Sequence, residues 1–282
     1  MIEVKNLDYS YQGSEQSLFG NLSFNIPEGH IYGFLGNNGV GKSTLLYLLT
    51  GLIRPKSGEI LLDEQKIKQR KQKSLSKFVI LPEEINLPEV SANTFLKINS
   101  SFYENFSKED FYNYLELLDV SRNMNIGNMS MGQRKKFYIS FLLACHTKYV
   151  IMDEPTNGLD INSKSNFRKV IALTSSQNQT IIISTHQVHD IHNLIDNVLI
   201  LHNKKILLYN SISEISKRLK FIETFDPEII NSALYHESLL SGINTILPRK
   251  EEEEETDVDI ELLYKGLTGN NNNPLINKIK TI

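Results

Sequence analysis

A lysine set among glycines, with two hydroxyl side chains directly behind it, is a combination suited to gripping phosphate. The run G-N-N-G-V-G-K-S-T at 36–44 has that composition and the G-x-x-x-x-G-K-[ST] spacing of a phosphate-binding loop. Gly36, Gly39 and Gly41 permit backbone angles closed to other residues, so consecutive N–H groups can turn inward around β- and γ-phosphates. Lys42 adds a mobile positive charge, and Ser43 offers its hydroxyl to Mg²⁺. The candidate nucleotide-binding loop is therefore Gly36, Asn37, Asn38, Gly39, Val40, Gly41, Lys42, Ser43 and Thr44. Taken alone it specifies only a nucleoside triphosphate, because many chemistries share such a loop.

A second reactive group follows the apolar run Y-V-I-M at 149–152, which passes directly into Asp153 and Glu154. Adjacent carboxylates at the carboxyl end of a buried strand are costly unless something there uses them. A phosphate site does. Asp153 suits Mg²⁺, held directly or through water, while Glu154 suits orienting and deprotonating an attacking water. Tyr11, upstream of the loop, is a candidate ring for stacking on an adenine base, with an ordinary strand tyrosine as the alternative and Tyr9 as the second choice.

These residues need a scaffold. H-I-Y-G-F-L at 30–35 reads as the strand before the loop, and T-L-L-Y-L-L-T at 44–50 as a helix whose positive N-terminus faces the phosphates. Alternation in I-E-V-K-N-L and L-F-G-N-L-S-F-N-I indicates antiparallel strands across residues 2–26. Further strands are expected at 58–62 and 78–81, the latter stopped by Pro82. Between 90 and 148 the patterns become helical, and Phe95, Phe102, Tyr103, Phe106, Phe111 and Tyr112 are expected in the core of that insert. Apolar runs at 149–152, 180–184 and 198–201, separated by helical stretches, suit a mainly parallel sheet covered on both faces. Beyond about residue 217 a small C-terminal extension is expected, with Glu251–Glu255 in a solvated loop and a disordered tail after Gly269.

Composition narrows the function. The 282 residues, 40% hydrophobic, suffice for a large core with appendages. A net charge of −3 and a pI of about 6.2 offer no global attraction to polyanions, so no nucleic-acid partner is expected. Cys145 lies beside Leu142, Leu143 and Ala144, which marks a buried structural thiol and fits a reducing cytoplasm. The opening M-I-E-V-K-N-L-D reads as a first strand and not as a signal peptide. Apolar runs fall short of the roughly 18 residues that crossing a bilayer requires, so any membrane link is expected through a partner.

With these residues in this order, the chain resembles the nucleotide-binding subunit of an ATP-binding-cassette (ABC) transporter over residues 2–209. M-S-M-G-Q at 129–133 is similar to the L-S-G-G-Q signature that separates this family from other phosphate-loop proteins. N-G-L-D at 157–160 resembles the loop linking two active sites, and I-S-T-H ends in His186, matching the family's switch histidine. The fold implied is α/β: a P-loop NTPase core with a mainly parallel sheet, an antiparallel β edge, a helical insert at about 90–147 and the C-terminal extension, the ATP-binding domain spanning 1–216. The resemblance implies that Ser130 and Gly132 meet the γ-phosphate of ATP bound to an opposite subunit, with Gln133 also at the nucleotide, and that His186 hydrogen-bonds that phosphate while aligning Glu154 and water. Met131 replaces the first signature glycine, and Glu83 stands where the family usually has a glutamine offering a neutral oxygen to Mg²⁺ and the lytic water.

The function so implied is ATP hydrolysis driving a separate transmembrane permease, with ATP and Mg²⁺ as cofactors and export as the direction. An ATP-dependent homodimer, or a heterodimer with a related subunit, is implied on the cytoplasmic face of the membrane. The alternative is a soluble ABC-type clamp acting on ribosomes or DNA. Against it stand a single nucleotide motif set and the lack of long coiled-coil heptads.

Overall fold

A computed structural model describes every residue except 15, 123, 176–178, 241, 270–273 and 280–282. Strands β1 (Ile2–Tyr9) and β2 (Phe19–Ile26) pair antiparallel, and β3 (Ile31–Leu35) leads through the glycine loop into α1 (Lys42–Leu49). β4 (Ser57–Leu62) and β5 (Gln65–Lys66) extend the first hairpin into an antiparallel sheet of order β2-β1-β4-β5. After α2 (Gln72–Leu75) and β6 (Phe78–Leu81) comes the helical insert, α3 (Ala92–Asn99), α4 (Lys108–Leu117) and α5 (Met131–Ala144). Ser91, Ser107 and Ser130 cap these helices, each accepting a first-turn N–H. β7 (Tyr149–Asp153), α6 (Ile161–Ser175), β8 (Thr180–Thr185), β9 (Asn197–His202) and β10 (Lys205–Ser211) complete the larger sheet.

That sheet has six strands in the order β10-β9-β3-β8-β7-β6. All its pairings are parallel except β9 with β10. Side chains alternate across it with the strand period of two. Ile31, Val150, Met152, Ile181 and Ile183 point into one buried cluster, shared with the helical insert, while Tyr32, Phe34, Tyr149, Ile151 and Ile182 point into another, shared with the antiparallel sheet. α1 lies in the second cluster with Leu45, Leu46, Leu48 and Leu49 all buried, which accounts for its apolar residues on every face.

α7 (Ile212–Arg218) crosses the expected boundary at 216/217 and is followed by β11 (Leu219–Thr224), α8 (Pro227–Ser232), β12 (Tyr235–Ser238), β13 (Ile243–Pro248), α9 (Ile260–Thr268) and α10 (Pro274–Ile279). A third sheet, β11-β13-β12, is formed entirely within this extension. Leu219, Ile246, Leu263 and Leu267 join the cluster under the parallel sheet, so the extension is packed onto the core and not appended to it. Glu251–Glu255 carries no helix or strand, as expected, although Glu255 accepts the Ser216 hydroxyl at 2.7 Å.

Some expectations need correction. Phe102 is 70% exposed and does not join the insert core, whereas Phe95 and Phe111 are buried there and Tyr103, Phe106 and Tyr112 pack against it. The expected disorder of the asparagine run falls on Asn270–Asn273, which lie outside the described residues, and α10 beyond it buries Leu275. β10 and the third sheet were not expected from the sequence: their residues are mostly half-buried and mixed in type, without the clean alternation that marks a strand. Cys145 is 1% exposed and burial pushes its thiol well above the usual range, consistent with a structural role.

Candidate active site

Register builds the site. β3 pairs with β8 so that Leu35 lies opposite Thr185, β8 pairs with β7 so that Ser184 lies opposite Asp153, and β7 pairs with β6 so that Met152 lies opposite Leu81. The strands therefore end nearly flush, and the glycine loop, Glu154, His186 and Glu83 all leave the sheet along one edge. Ligand sites of open α/β sheets lie at such carboxyl edges.

Gly39 and Gly41 have φ of 77° and 109°, in the left-handed region. A Cβ on Gly41 would also come within 2.8 Å of Phe19 Cζ, so glycine is required there twice over. Gly36 corrects the expectation of an unusual backbone angle: its φ lies outside that region, and what it needs is room. A Cβ at Gly36 would meet the Leu201 carbonyl oxygen and Val40 Cγ1, each at 2.8 Å. α1 starts at Lys42, immediately after Gly41, which leaves its first-turn N–H groups without helical partners and directed at the loop.

A cavity of about 400 Å³ opens over that helix start, lined by Tyr11, Leu18, Asn38, Gly39, Gly41, Lys42, Ser43, Thr44, Glu83, Asp153 and Glu154. The Lys42 ammonium donates to the Gly36 carbonyl at 2.8 Å and to the Asn37 carbonyl at 3.4 Å, and lies 3.5 Å from Glu154 Oε1. Both charged side chains are about one-twentieth exposed, so this pair is a buried one. Tyr11 is 52% exposed, its hydroxyl bonded to Thr44 Oγ1 and its ring edge-on to Tyr9. Tyr9 is only 9% exposed beneath it, which removes the second choice for base stacking.

Glu154 sits in the left-handed region at φ 46°, an uncommon conformation for a non-glycine residue and one that clusters at functional sites. Its carboxylate is held on several sides. Oε1 accepts the His186 backbone N–H at 3.1 Å and lies 2.8 Å from His186 Nδ1, and Oε2 accepts the Thr185 hydroxyl at 3.1 Å. This wiring fixes the direction in which the carboxylate faces the cavity.

Asp153 is fully buried; its Oδ1 accepts the Ser184 hydroxyl, and its Oδ2 has no hydrogen-bond partner among the described residues. An orphaned carboxylate oxygen beside Ser43 at a phosphate cavity is the donor set Mg²⁺ accepts, since that ion prefers few protein oxygens and fills its remaining positions with water and phosphate. Asp153 and Ser43 are the residues that would hold it. When bound, the ion neutralises phosphate charge that Lys42 alone leaves unbalanced.

The signature residues stand apart. Ser130 and Gln133 form a capping box on α5, with the Ser130 hydroxyl accepting the Gln133 N–H at 3.2 Å and Gln133 Oε1 accepting the Ser130 N–H at 2.9 Å. Thus Gln133, expected at the nucleotide, has its side chain engaged in the cap. Met131 occupies the first helical position and is 80% exposed, so the helix forms normally without the usual glycine. None of Ser130, Gly132 and Gln133 lines the phosphate cavity of its own chain.

One participant escaped the sequence reading. Lys135, 4% exposed on α5, donates its ammonium to the carbonyls of Glu154 and Asn157, each at 3.0 Å. It bolts the signature helix to the turn that follows β7. Burial lowers its pKa, opposed by Glu83, Glu154 and Asp153. R-K-K at 134–136 looks like a solvated basic face, so nothing in the residue types marked it.

The ABC transporter family model matches residues 19–157. The chain is 32% identical over 225 residues to the bacitracin transport ATP-binding protein BcrA of Bacillus licheniformis, covering 78% of this chain and 74% of that protein. It is 30% identical to the energy-coupling factor transporter ATP-binding protein EcfA of Methanosphaera stadtmanae, covering 80% and 84%. Among solved structures, cbiO1 from Clostridium perfringens, part of the ABC transporter complex cbiONQ, superposes with a TM-score of 0.64 at 28% identity, over 76% of this chain and 89% of cbiO1.

Proposed function

Since the chain belongs to the ABC transporter family and is an ATP-binding, ATP-hydrolysing subunit that energises transport by a membrane partner, we propose that it works as one half of an ATP-closed dimer docked on a separate permease, exporting cargo. The observation that carries this is the cavity in which Lys42, Asp153 and Glu154 converge while Ser130 and Gly132 face elsewhere. A site built this way is complete only when a second subunit supplies its signature helix. No helix among the described residues is long and apolar enough to cross a membrane; in this reading a separate permease supplies the membrane path. ATP and Mg²⁺ bind at the loop, Glu154 takes a proton from the attacking water, and His186 holds Glu154 in line. Tyr11, tethered to Thr44 at the cavity rim, stacks on the base in this reading. In this reading the dimer acts on the cytoplasmic face, and its partner is a second copy or a related subunit.

Affinity purification from membranes tests the assignment. A polytopic membrane protein recovered with the chain supports it, and recovery of ribosomes or DNA instead overturns it. ATP-driven accumulation of cargo in inside-out vesicles containing both proteins establishes export; ATP-driven loss reverses the direction.

Closure of the dimer is a separate expected outcome. Glu154→Gln, slowed in turnover, should sediment as a monomer without nucleotide and as a dimer with saturating ATP and Mg²⁺. A variant that stays monomeric under those conditions, with permease supplied, is incompatible with a shared site.

Glu83 lines both the phosphate cavity and a second groove, of about 600 Å³, together with Ile85, Met129, Met131, Arg134 and Lys135. That double position suits a residue relaying the state of the metal to the helical insert. A carboxylate there attracts the cation more strongly than an amide and repels the γ-phosphate, effects of opposite sign. Accordingly Glu83→Gln keeps substantial ATPase activity, whereas Glu83→Ala raises the Mg²⁺ requirement and weakens coupling to transport. Titrating Mg²⁺ against ATPase for both variants checks this; unchanged Mg²⁺ dependence and intact coupling in Glu83→Ala would reduce Glu83 to a surface acid.

A further inference from the structure

α9 is distant in sequence from the phosphate loop and yet touches it. Its apolar face, Ile260, Leu263 and Leu267, is buried in the cluster shared with the parallel sheet. Asp259 caps its first turn by accepting the Leu262 N–H at 2.9 Å, and the Lys265 ammonium reaches both carboxylate oxygens of Glu237 on β12 at 3.0 Å. A Cβ on Gly266 would come within 2.7 Å of Leu275 and 3.0 Å of Tyr235, so the helix has a single close-packed seating. From that seating the Tyr264 hydroxyl donates to Asn37 Oδ1 at 2.9 Å.

Asn37 is the residue after Gly36, and its own carbonyl accepts the Val40 N–H at 3.3 Å and the Lys42 ammonium at 3.4 Å. The extension therefore grips by its side chain the same residue that the loop lysine grips by its carbonyl. Burial raises the Tyr264 pKa, opposed by a hydrogen bond from the Asn37 backbone, so the hydroxyl meets Asn37 through both its side chain and its main chain. Apart from this bond the Asn37 side chain is exposed. A loop held by a rigid strut loses less conformational freedom when it closes on phosphate.

We propose that Tyr264 is a positioning residue for the phosphate loop, through which the C-terminal extension raises the affinity of the site for ATP. The inference rests on the reading that this loop binds ATP. It requires no contact between Tyr264 and the nucleotide, only a fixed Asn37.

Equilibrium binding of Mg²⁺-ATP and steady-state ATPase kinetics, on the full chain, test it in wild type, Tyr264→Phe, Asn37→Ala and the double variant. Loss of one neutral hydrogen bond predicts about 2- to 10-fold weaker ATP binding in Tyr264→Phe, seen as a higher KM with kcat unchanged. Asn37→Ala should weaken binding as well, and adding Tyr264→Phe to it should cost less than Tyr264→Phe does in the wild type, because only the link to the Asn37 backbone is then left to lose. Wild-type affinity in Tyr264→Phe, a loss confined to kcat, or full additivity in the double variant would each overturn the proposal. Failure of the wild-type chain itself to bind ATP would remove the nucleotide reading, and this proposal with it.

Discussion

Glu154→Gln lowers ATP turnover by about 10² to 10⁴-fold while ATP still binds, which corresponds to about 3–5 kcal/mol of lost transition-state stabilisation. The substitution keeps the shape of the side chain: the amide oxygen can still accept the His186 backbone N–H, while the amide N–H turns toward the Thr185 hydroxyl, which then accepts instead of donating. What disappears is the capacity to take a proton. The carboxylate is nearly buried and held by His186, Thr185 and Lys42, a degree of orientation that an incidental strand-end acid would not need. Measuring ATPase rate and ATP affinity on the same preparation separates base from ligand: wild-type turnover in the variant would exclude Glu154 as the base, and lost binding with it would point to a structural role.

Lys42→Met should have the other large effect, and on two quantities at once. Charge-assisted hydrogen bonds contribute about 1.5–3 kcal/mol, so ATP binding falls by roughly 10- to 10²-fold when the ammonium is lost. Folding also suffers, because Glu154 is left 4% exposed without the cation 3.5 Å away. Breaking a buried pair in this manner commonly costs 3–5 kcal/mol, and the remaining bonds from Thr185 and His186 place the loss here near the lower end, about 3 kcal/mol. The double variant Lys42→Met/Glu154→Gln removes the stranded charge and should regain most of that stability without regaining ATP affinity. Urea unfolding midpoints and equilibrium ATP binding, for both single variants and the double, read the two effects independently. A double variant no more stable than Lys42→Met would show that uncompensated charge is not the cause.

Much of this site was legible in residue order because its chemistry is local. Phosphate recognition needs consecutive N–H groups, a lysine and a hydroxyl within one turn of chain, and that requirement is written continuously from Gly36 to Thr44. Asp153 and Glu154 were legible for a similar reason: charge directly after Y-V-I-M conflicts with burial and demands a use. The runs at 149–152 and 180–184 identified β7 and β8 because strands buried on both faces have no polar side to disguise them. A change to helical periodicity likewise marked the insert, whose helices the structure shows capped by serines.

Other features depend on which strands become neighbours, and residue types along the chain do not encode that step by step. Placing Leu35 opposite Thr185 and Asp153 opposite Ser184 is what brings Lys42 and Glu154 into one cavity and His186 against Glu154. Lys135 had no sequence signal; the packing of α5 is what places its ammonium on the Glu154 and Asn157 carbonyls. Gly36 looked like a residue of unusual backbone angle, and only the approach of the Leu201 carbonyl shows that it is needed for space. Tyr264 and Asn37 had no common pattern at all. The sequence by itself determined the nucleotide loop, the carboxylate pair and the α/β rhythm, since each follows from interactions within a few residues. Tertiary structure alone decided which groups meet across the sheet edge and that the C-terminal extension reaches the loop, because those contacts join segments whose separation along the chain leaves no local signal of their proximity.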